Sequence, residues 1–103
     1  MARQVSWTET AAQDLEAAAD YISRDSPYYA AAFVQEILEA SRSLSDFSER
    51  GRRVPEFPET ELRELFVRNY RLIYQVAPTT VAIIALIHGA RDLWALWQRE
   101  ARS

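Results

Sequence analysis

Two side chains in the C-terminal half of the sequence have the chemistry of a working site: Arg71 and the only histidine, His88. Imidazole changes charge near neutral pH, so His88, which closes a run of strand-forming residues, could serve as a general acid. Arg71 lies inside an earlier run of this kind, where a charged side chain must face solvent or be paired. Arg63 or Glu64 on the neighbouring run could be its cross-strand partner. The residues alone leave a structural and a functional role open for both side chains.

Composition excludes several other kinds of site. The chain has no cysteine and one histidine, and its carboxylates are not spaced as a cluster, so we expect no metal site. It has only two glycines and therefore no glycine-rich phosphate loop, and no serine lies in a recognisable nucleophile elbow. We expect no cofactor, so any chemistry would have to come from the side chains themselves.

The net charge of −3 hides an uneven distribution. Residues 1–49 carry nine acids and three arginines, whereas residues 50–103 carry nine arginines and six acids, a net of +3. All twelve basic residues are arginines, whose planar guanidinium groups suit carboxylates, phosphates or base edges. The C-terminal half is therefore predicted to carry a surface for a macromolecular partner. Trp94 and Trp97 are expected either to pack on the core or to stack on a base or a partner peptide.

The N-terminal half predicts a short strand followed by two helices. Residues 3–7 alternate as a strand, and Thr8 can cap a helix that runs to about Ser23. Ser26 can cap a second helix with Pro27 in its first position. The short break between the helices predicts an antiparallel hairpin. The second helix carries an apolar stripe at alternating steps of four and three: Phe33, Ile37, Ala40, Leu44 and Phe47.

The C-terminal half predicts an antiparallel meander. A loop at residues 51–58 contains two prolines, which oppose a helix there. Three strand candidates follow, separated by tight turns: 62–67, 70–76 and 81–87. The tail, 92–102, is amphipathic at helical spacing. The predicted fold is α+β, a two-helix antiparallel hairpin packed on a small, mainly antiparallel four-stranded sheet, in the order β-α-α-β-β-β with a short C-terminal helix.

The length favours a single domain over residues 1–103. The longest apolar run, residues 81–87, is too short to cross a membrane, and no signal peptide is visible. The absence of cysteine fits a reducing compartment. We therefore expect a cytoplasmic protein that does not act at a membrane.

A family signal comes from six segments: VSW at 5–7, AQDL at 12–15, GRRVPE at 51–56, REL at 63–65, YRLIY at 70–74 and IHGARD at 87–92. Taken in order, they resemble the RelE/ParE superfamily of bacterial toxins, the toxic halves of type II toxin–antitoxin pairs, a group that includes plasmid-stabilisation proteins. The resemblance covers nearly the whole chain at the right length. It implies a two-helix hairpin on a small antiparallel sheet, in agreement with the periodicity.

The resemblance implies one of two modes of action. Members of the ParE type poison DNA gyrase by protein contact and perform no chemistry. Members of the RelE type cut mRNA in the ribosomal A site by driving the 2′-hydroxyl onto the adjacent phosphate, which needs a base, cations and an acid. In the nuclease mode, Glu56 matches the base, Arg71 the phosphate-stabilising arginine and His88 the acid. Arg91 resembles a further basic residue after the last strand.

Several departures from the family pattern favour the ParE-like mode. The lysines that many RelE-type enzymes use are absent, and Trp94 or Trp97 stands in the region of an expected tyrosine. Binding to ribosomal RNA also usually goes with a basic protein, whereas this chain is acidic. We expect a gyrase-directed toxin that is not an enzyme. The alternative is a ribosome-dependent mRNA endonuclease, and a further alternative is a non-toxic interaction module of the same fold.

The resemblance also implies partners. We expect a cognate antitoxin, with a C-terminal segment that is disordered when free and folds on binding, in a toxin–antitoxin hetero-oligomer. Leu44 on the hairpin and Trp97 in the tail are the expected antitoxin-binding residues. DNA gyrase, or the ribosome with its mRNA, is expected to contact side chains of the C-terminal half: Arg63, Arg71, Arg91, Trp94 and Trp97.

Overall fold

The computed structural model describes residues 2–89, in which two helices precede most of a small sheet. The predicted C-terminal helix, with Arg91, Trp94 and Trp97, lies outside the described residues. Within residues 2–89 no helix is long and apolar enough to cross a membrane. The elements are β1 (Gln4–Trp7), α1 (Glu9–Ser23), α2 (Pro27–Ser43), β2 (Arg52–Arg53), β3 (Leu62–Val67), β4 (Tyr70–Val76) and β5 (Thr80–His88).

Within residues 2–89 the sheet has five strands in the order β1-β5-β4-β3-β2, with β1 parallel to β5 and the other pairs antiparallel. The predicted α+β class, element order and mainly antiparallel sheet are confirmed. The predicted count of four strands is wrong by one, because β2 forms within the loop predicted at 51–58. Its two arginines pair with Glu64 and Arg63 of β3, a non-local pairing that the proline signals of that loop do not reveal.

The helix hairpin begins where the capping residues predict. Thr8 Oγ1 accepts a hydrogen bond from the backbone N–H of Ala11, and Ser26 Oγ accepts one from Tyr29 N–H. Pro27 occupies the start of α2, where its missing N–H costs nothing. The helix ends at Ser43 rather than continuing through the whole apolar stripe, so Phe47, predicted in the core, is instead exposed.

The main core lies between the hairpin and one face of the sheet, which we call the hairpin face. Its buried members come from both helices and from β4 and β5: Ala11, Ala18, Phe33, Ile37, Leu44, Leu72, Tyr74, Val81, Ile83 and Leu86. Leu44 has no exposed surface, which corrects its predicted place at an antitoxin-binding surface. Substituting Leu44 would disturb the packing of the hairpin before it touched any partner.

The opposite face of the sheet is covered by the chain between β2 and β3. We call residues 54–61 the strap and the surface beneath them the strap face. Val54 and Phe57 of the strap pack with Ile73, Ala85 and Ile87 of the sheet in a second, smaller buried cluster. A polar open face is usual for a small antiparallel sheet, but here the strap makes it partly an interior.

Tyr74 and Gly51 fix the point where the chain enters the strap. The Tyr74 hydroxyl donates to Ser48 O at 2.9 Å and accepts from Gly51 N–H at 2.8 Å. A Cβ atom at Gly51 would lie 2.7 Å from that hydroxyl and closer still to Glu64 O, so only glycine allows this approach of two backbone segments. We call these two hydrogen bonds of the Tyr74 hydroxyl the Gly51 lock. They hold the chain just before β2, which pairs with β3 and leads into the strap.

Candidate functional site: an ionic cluster under the strap

Four charged side chains on the strap face form what we call the ionic cluster: Arg52, Glu56, Glu64 and Arg71. Arg71 donates from Nη1 and Nη2 to the two carboxylate oxygens of Glu56, each at 2.9 Å. Its Nε donates to Glu64 Oε1 at 2.7 Å, and its Nη2 also contacts that oxygen. Arg52 Nε donates to the other oxygen of Glu64 at 2.6 Å. The four charges alternate in sign and sum to zero.

Burial divides the cluster into a fixed part and an accessible part. The side chains of Glu64 and Arg71 are 0% and 5% exposed, whereas those of Glu56 and Arg52 are 37% and 63% exposed. Buried charges are tolerated where they are paired and hydrogen-bonded, a condition that Arg71 and Glu64 satisfy through each other. Glu56 therefore closes the cluster from the solvent side, while Glu64 holds Arg71 from below.

The electrostatics of the cluster oppose a role for Glu56 as a general base. The hydrogen bond from Arg71 holds the pKa of the Glu56 carboxyl below its ordinary value of 4.5, although partial burial acts in the other direction. The same hydrogen bond raises the pKa of Arg71 against the effect of its own burial. A carboxylate stabilised in its ionised form is a weak proton acceptor at neutral pH.

His88 lies on the other side of the sheet from Glu56 and Arg71. In the β4–β5 pairing His88 opposes Tyr70, whose ring packs on Phe33 of α2 at 4.9 Å between centroids. The imidazole meets the Tyr70 ring edge-on at 5.5 Å, on the hairpin face. Arg71 and Ile87, the next opposed pair, point to the strap face. Of the three predicted catalytic residues, Glu56 and Arg71 are therefore brought together on the strap face, and His88 lies apart from them on the hairpin face.

A β-bulge causes this separation. Ile73 opposes Ala85 and Tyr74 opposes Ile83, so Ile84 is an extra residue on β5. A one-residue shift of register reverses the face of every side chain beyond it. In a regular pairing His88 would share the face of Arg71, and the bulge moves it to the hairpin face. There it lines a groove of about 960 Å³ beside α1, with Asp14, Tyr21 and Arg24 among the lining residues.

Arg63, the other described member of the predicted target-binding set, also lies apart from Arg71. It opposes Tyr74 on the hairpin face, and its Nη1 donates to Gly51 O at 2.7 Å. Its Nη2 lies 3.6 Å from the exposed carboxylate of Glu49. Arg63 thus supports the Gly51 lock and does not form one phosphate-binding surface with Arg71.

The structure adds functional candidates that sequence reasoning missed. Arg52 belongs to the ionic cluster, and its guanidinium also lies 5.5 Å from the ring centroid of the exposed Phe66. At the tip of the helix hairpin, Tyr21 and Tyr28 are 67% and 87% exposed. Exposed tyrosines and arginines are typical of protein–protein hot spots. Tyr28 follows the N-terminal Pro27 of α2, a signal that could have indicated its exposure.

No group of three or more histidine, cysteine or acidic side chains within residues 2–89 could hold a metal ion. Several of the described arginines instead form ion pairs with glutamates, as in the ionic cluster. A second such pairing joins Arg68 of the β3–β4 turn to α2. Arg68 Nε lies 2.5 Å from Glu36 Oε2, and its guanidinium lies 4.5 Å from the ring centroid of Tyr29.

The fold, two helices on one face of a small sheet in which β1 lies at one edge parallel to β5, is that of the RelE/ParE toxins. Residues 5–93 match the family model described as the ParE toxin of the type II toxin–antitoxin system parDE, and the chain belongs to this family. It is 39% identical over 89 residues to Toxin RelE2 of Caulobacter vibrioides, an alignment that covers 85% of this chain and 97% of that protein.

Two solved structures agree with this assignment. The chromosomal ParDE toxin–antitoxin system from P. aeruginosa matches with a TM-score of 0.68 and 25% identity, covering 84% of this chain and 95% of that one. The toxin–antitoxin complex RelBE2 from Mycobacterium tuberculosis matches with a TM-score of 0.61 and 25% identity, covering 85% and 99%. The names of these relatives include both ParE and RelE types, so they do not distinguish between the two modes of action.

Proposed function

We propose that this toxin-family chain arrests growth by protein contact with DNA gyrase and performs no chemistry on nucleic acid. The observation that carries the proposal is the division of the candidate nuclease residues between two faces of the sheet. A general acid must come within hydrogen-bond reach of the group that it protonates. His88 is on the hairpin face, whereas Glu56 and Arg71 are on the strap face.

The state of Arg71 supports the same conclusion. A phosphate-stabilising arginine needs guanidinium N–H groups directed at the substrate. In this chain the Nε, Nη1 and Nη2 groups of Arg71 already donate to Glu56 and Glu64, and the side chain is 5% exposed. In the free protein Arg71 is therefore engaged in holding the strap and is not directed at a substrate phosphate.

The charge of the described part of the chain also favours a protein target. Residues 2–89 contain thirteen acidic residues and nine arginines, a net of −4. Affinity for nucleic acid rests largely on phosphate contacts from basic side chains, which an acidic surface disfavours. The exposed tyrosines at the hairpin tip and the Phe66–Arg52 pair offer contacts suited to a protein surface instead.

A gyrase supercoiling assay tests this proposal directly. The purified protein is expected to inhibit supercoiling of relaxed plasmid, or to promote cleaved complexes. The Glu56→Gln and His88→Asn variants are expected to inhibit as well as the wild type, since neither residue is assigned a role in the contact. Normal supercoiling in the presence of excess folded protein would exclude the gyrase-directed mode.

The nuclease mode is kept as the second candidate because Glu56 and Arg71 do meet on the strap face. The name of the relative Toxin RelE2 also leans towards it. In that mode the same two variants, Glu56→Gln and His88→Asn, should lose cleavage of ribosome-bound mRNA. The two assays on one set of variants therefore separate the modes, and absence of cleavage by the wild type would eliminate the nuclease.

Both modes include a cognate antitoxin, and the matched structures of a ParDE system and a RelBE2 complex support such a partner for this chain. Both targets would place the protein in the cytoplasm, as predicted from the sequence. Induced expression is expected to stop growth, and co-expression of the antitoxin is expected to restore it. Normal growth with folded protein present would leave only the interaction-module alternative.

A further inference from the structure

The strap is seated on the sheet mainly by its side chains. Its backbone hydrogen bonds are largely internal: Phe57 N–H donates to Val54 O, and Thr60 N–H and Oγ1 both bond to Phe57 O. One backbone bond, from Val54 N–H to Leu62 O at 3.1 Å, joins it to β3. Further attachment comes from the buried Val54 and Phe57 and from the Glu56 carboxylate on Arg71. At its far end, Thr60 O accepts a hydrogen bond from Arg53 Nη1 at 3.3 Å, and Thr60 Oγ1 accepts one from Leu62 N–H at 3.4 Å. The strap therefore sits on the sheet as a folded peptide ligand would.

The seat beneath the strap has a definite chemical character. Its apolar part consists of Ile73, Ala85 and Ile87, and its polar part is the guanidinium of Arg71. Without Glu56, the ionic cluster retains two arginines and one carboxylate, a net of +1. The seat thus complements a short segment that carries one acid next to apolar side chains, as the strap does at positions 54, 56 and 57.

The seat would keep its shape when Glu56 leaves. Glu64 is fully buried and holds the Nε of Arg71 at 2.7 Å, so the guanidinium stays oriented without help from the strap. Arg52 anchors Glu64 from the other side at 2.6 Å. A second carboxylate could then take the two N–H groups that Glu56 occupies, and the number of hydrogen bonds would not change. A preformed cationic seat of this kind lowers the cost of binding.

We propose that the strap face is a docking site for an acidic, apolar segment of the cognate antitoxin, and that residues 54–57 are its internal occupant. The inference rests on the toxin–antitoxin function proposed above. Binding then consists of an exchange, in which a partner carboxylate replaces Glu56 on Arg71 and partner apolar side chains replace those of the strap. The more tightly the strap is bound to the sheet, the lower is the affinity of the strap face for the partner segment.

A competing internal ligand has a consequence that a purely structural clip lacks. Removing Glu56 takes away the competing carboxylate and weakens the hold of the strap while Arg71 stays in place, so the external segment should bind more tightly. If the strap never leaves the sheet, removing Glu56 lowers the stability of the fold and leaves the affinity for the external segment unchanged or reduced. The sign of the change in affinity therefore distinguishes the two.

The first experiment uses the strap's own peptide, residues 51–61, added in trans to the full chain. Binding to the wild type, Glu56→Ala and Glu61→Ala is followed by NMR through the side-chain resonances of Arg71. Glu61 is the matched control, because it is an exposed acid of the same strap that lies 3.8 Å from Arg53 and does not contact Arg71. Glu56→Gln, which keeps the side-chain volume, serves if Glu56→Ala fails to fold.

We expect the peptide to bind Glu56→Ala about fivefold more tightly than the wild type, the factor for a partly exposed ion pair. Glu61→Ala should bind like the wild type. A peptide in which the acid corresponding to Glu56 is replaced by Gln should lose the gain. Equal affinity for all three proteins, or equal binding of both peptides, would overturn the proposed seat.

The second experiment measures affinity for the cognate antitoxin by titration calorimetry with the same variants. Glu56→Ala should again bind more tightly, and Glu61→Ala should not. If Glu56→Ala binds the peptide more tightly but no protein variant binds the antitoxin, the binding site on the strap face is supported and the proposed partner is refuted. A complex that Glu56→Ala weakens would show that Glu56 itself contacts the antitoxin and would overturn the exchange.

Discussion

Replacement of Arg71 by alanine is expected to destabilise the fold severely, whatever the role of Arg71 in function. The substitution leaves the fully buried carboxylate of Glu64 with one of its two arginine partners. It also releases Glu56, whose side chain is partly exposed and can be solvated without large cost. The penalty therefore comes from Glu64 and from the space vacated beneath the strap.

The size of this penalty follows from the burial of the pair. Removing one partner of a buried ion pair typically costs 3–5 kcal/mol, because the other charge is left uncompensated. Arg52 still donates to Glu64 at 2.6 Å, which reduces the expected loss to about 2–4 kcal/mol. Such a loss is a large fraction of the roughly 5–15 kcal/mol that stabilises an ordinary domain.

Urea denaturation followed by circular dichroism measures the loss as a fall in the midpoint at constant slope. The double variant Arg71→Met/Glu64→Leu removes both buried charges and is expected to regain most of the lost stability. Arg53→Ala is the control, because Arg53 is an arginine of the neighbouring strand β2 whose side chain is 53% exposed and does not contact Glu64. Its change should stay within about 0.5 kcal/mol.

Two results would refute the reasoning about the buried pair. A loss below about 1 kcal/mol for Arg71→Ala would mean that the Glu64 carboxylate does not remain buried and uncompensated in the variant. A double variant as unstable as the single one would show that packing, not charge, dominates the site. The expected loss also has a practical meaning for functional assays, because an inactive Arg71→Ala protein could be an unfolded one.

The remaining predictions concern the entry to the strap and the pH response. Tyr74→Phe leaves Gly51 N–H without its buried acceptor and is expected to lower the free energy of unfolding by about 1–3 kcal/mol in urea denaturation. An unchanged midpoint would contradict the Gly51 lock. Gly51→Ala forces a Cβ against backbone and is expected to cost at least about 2 kcal/mol; a tolerated alanine would show that the two segments can separate. Glu56→Gln should be less stable than the wild type at pH 7. Because Arg71 lowers the pKa of Glu56 in the folded state, that difference should shrink as the pH falls below 4.5, and a difference that grows there would contradict the ion pair.

Features set by local signals could be predicted from the sequence. The caps at Thr8 and Ser26 fix the starts of both helices, and tight turns separate strands whose bounds match the predicted 62–67 and 70–76. The family resemblance is likewise confirmed. These features depend on residues within a few positions of one another, which is why one sequence suffices.

Features that depend on non-local pairing could not be predicted. The two residues of β2 have no strand signal of their own and become extended only through pairing with β3. The face of His88 depends on the extra residue Ile84, and no turn residue or proline marks that bulge. The register between β4 and β5 is likewise not marked by any local signal. One residue of shift was enough to divide the predicted site.

The pairing of β1 with β5 constrains the order in which the protein can fold as it is made. β1 leaves the ribosome first, but its partner residues, Thr80–Ile83, are synthesised more than seventy residues later. The meander of β3, β4 and β5 can form locally, whereas β1 must wait to close the sheet across a long loop. The hairpin core includes residues of both β4 and β5, so a nascent chain lacks a complete core until late in synthesis. The strap cluster likewise needs Ala85 and Ile87 of β5, so neither face of the sheet is complete before that strand has been made.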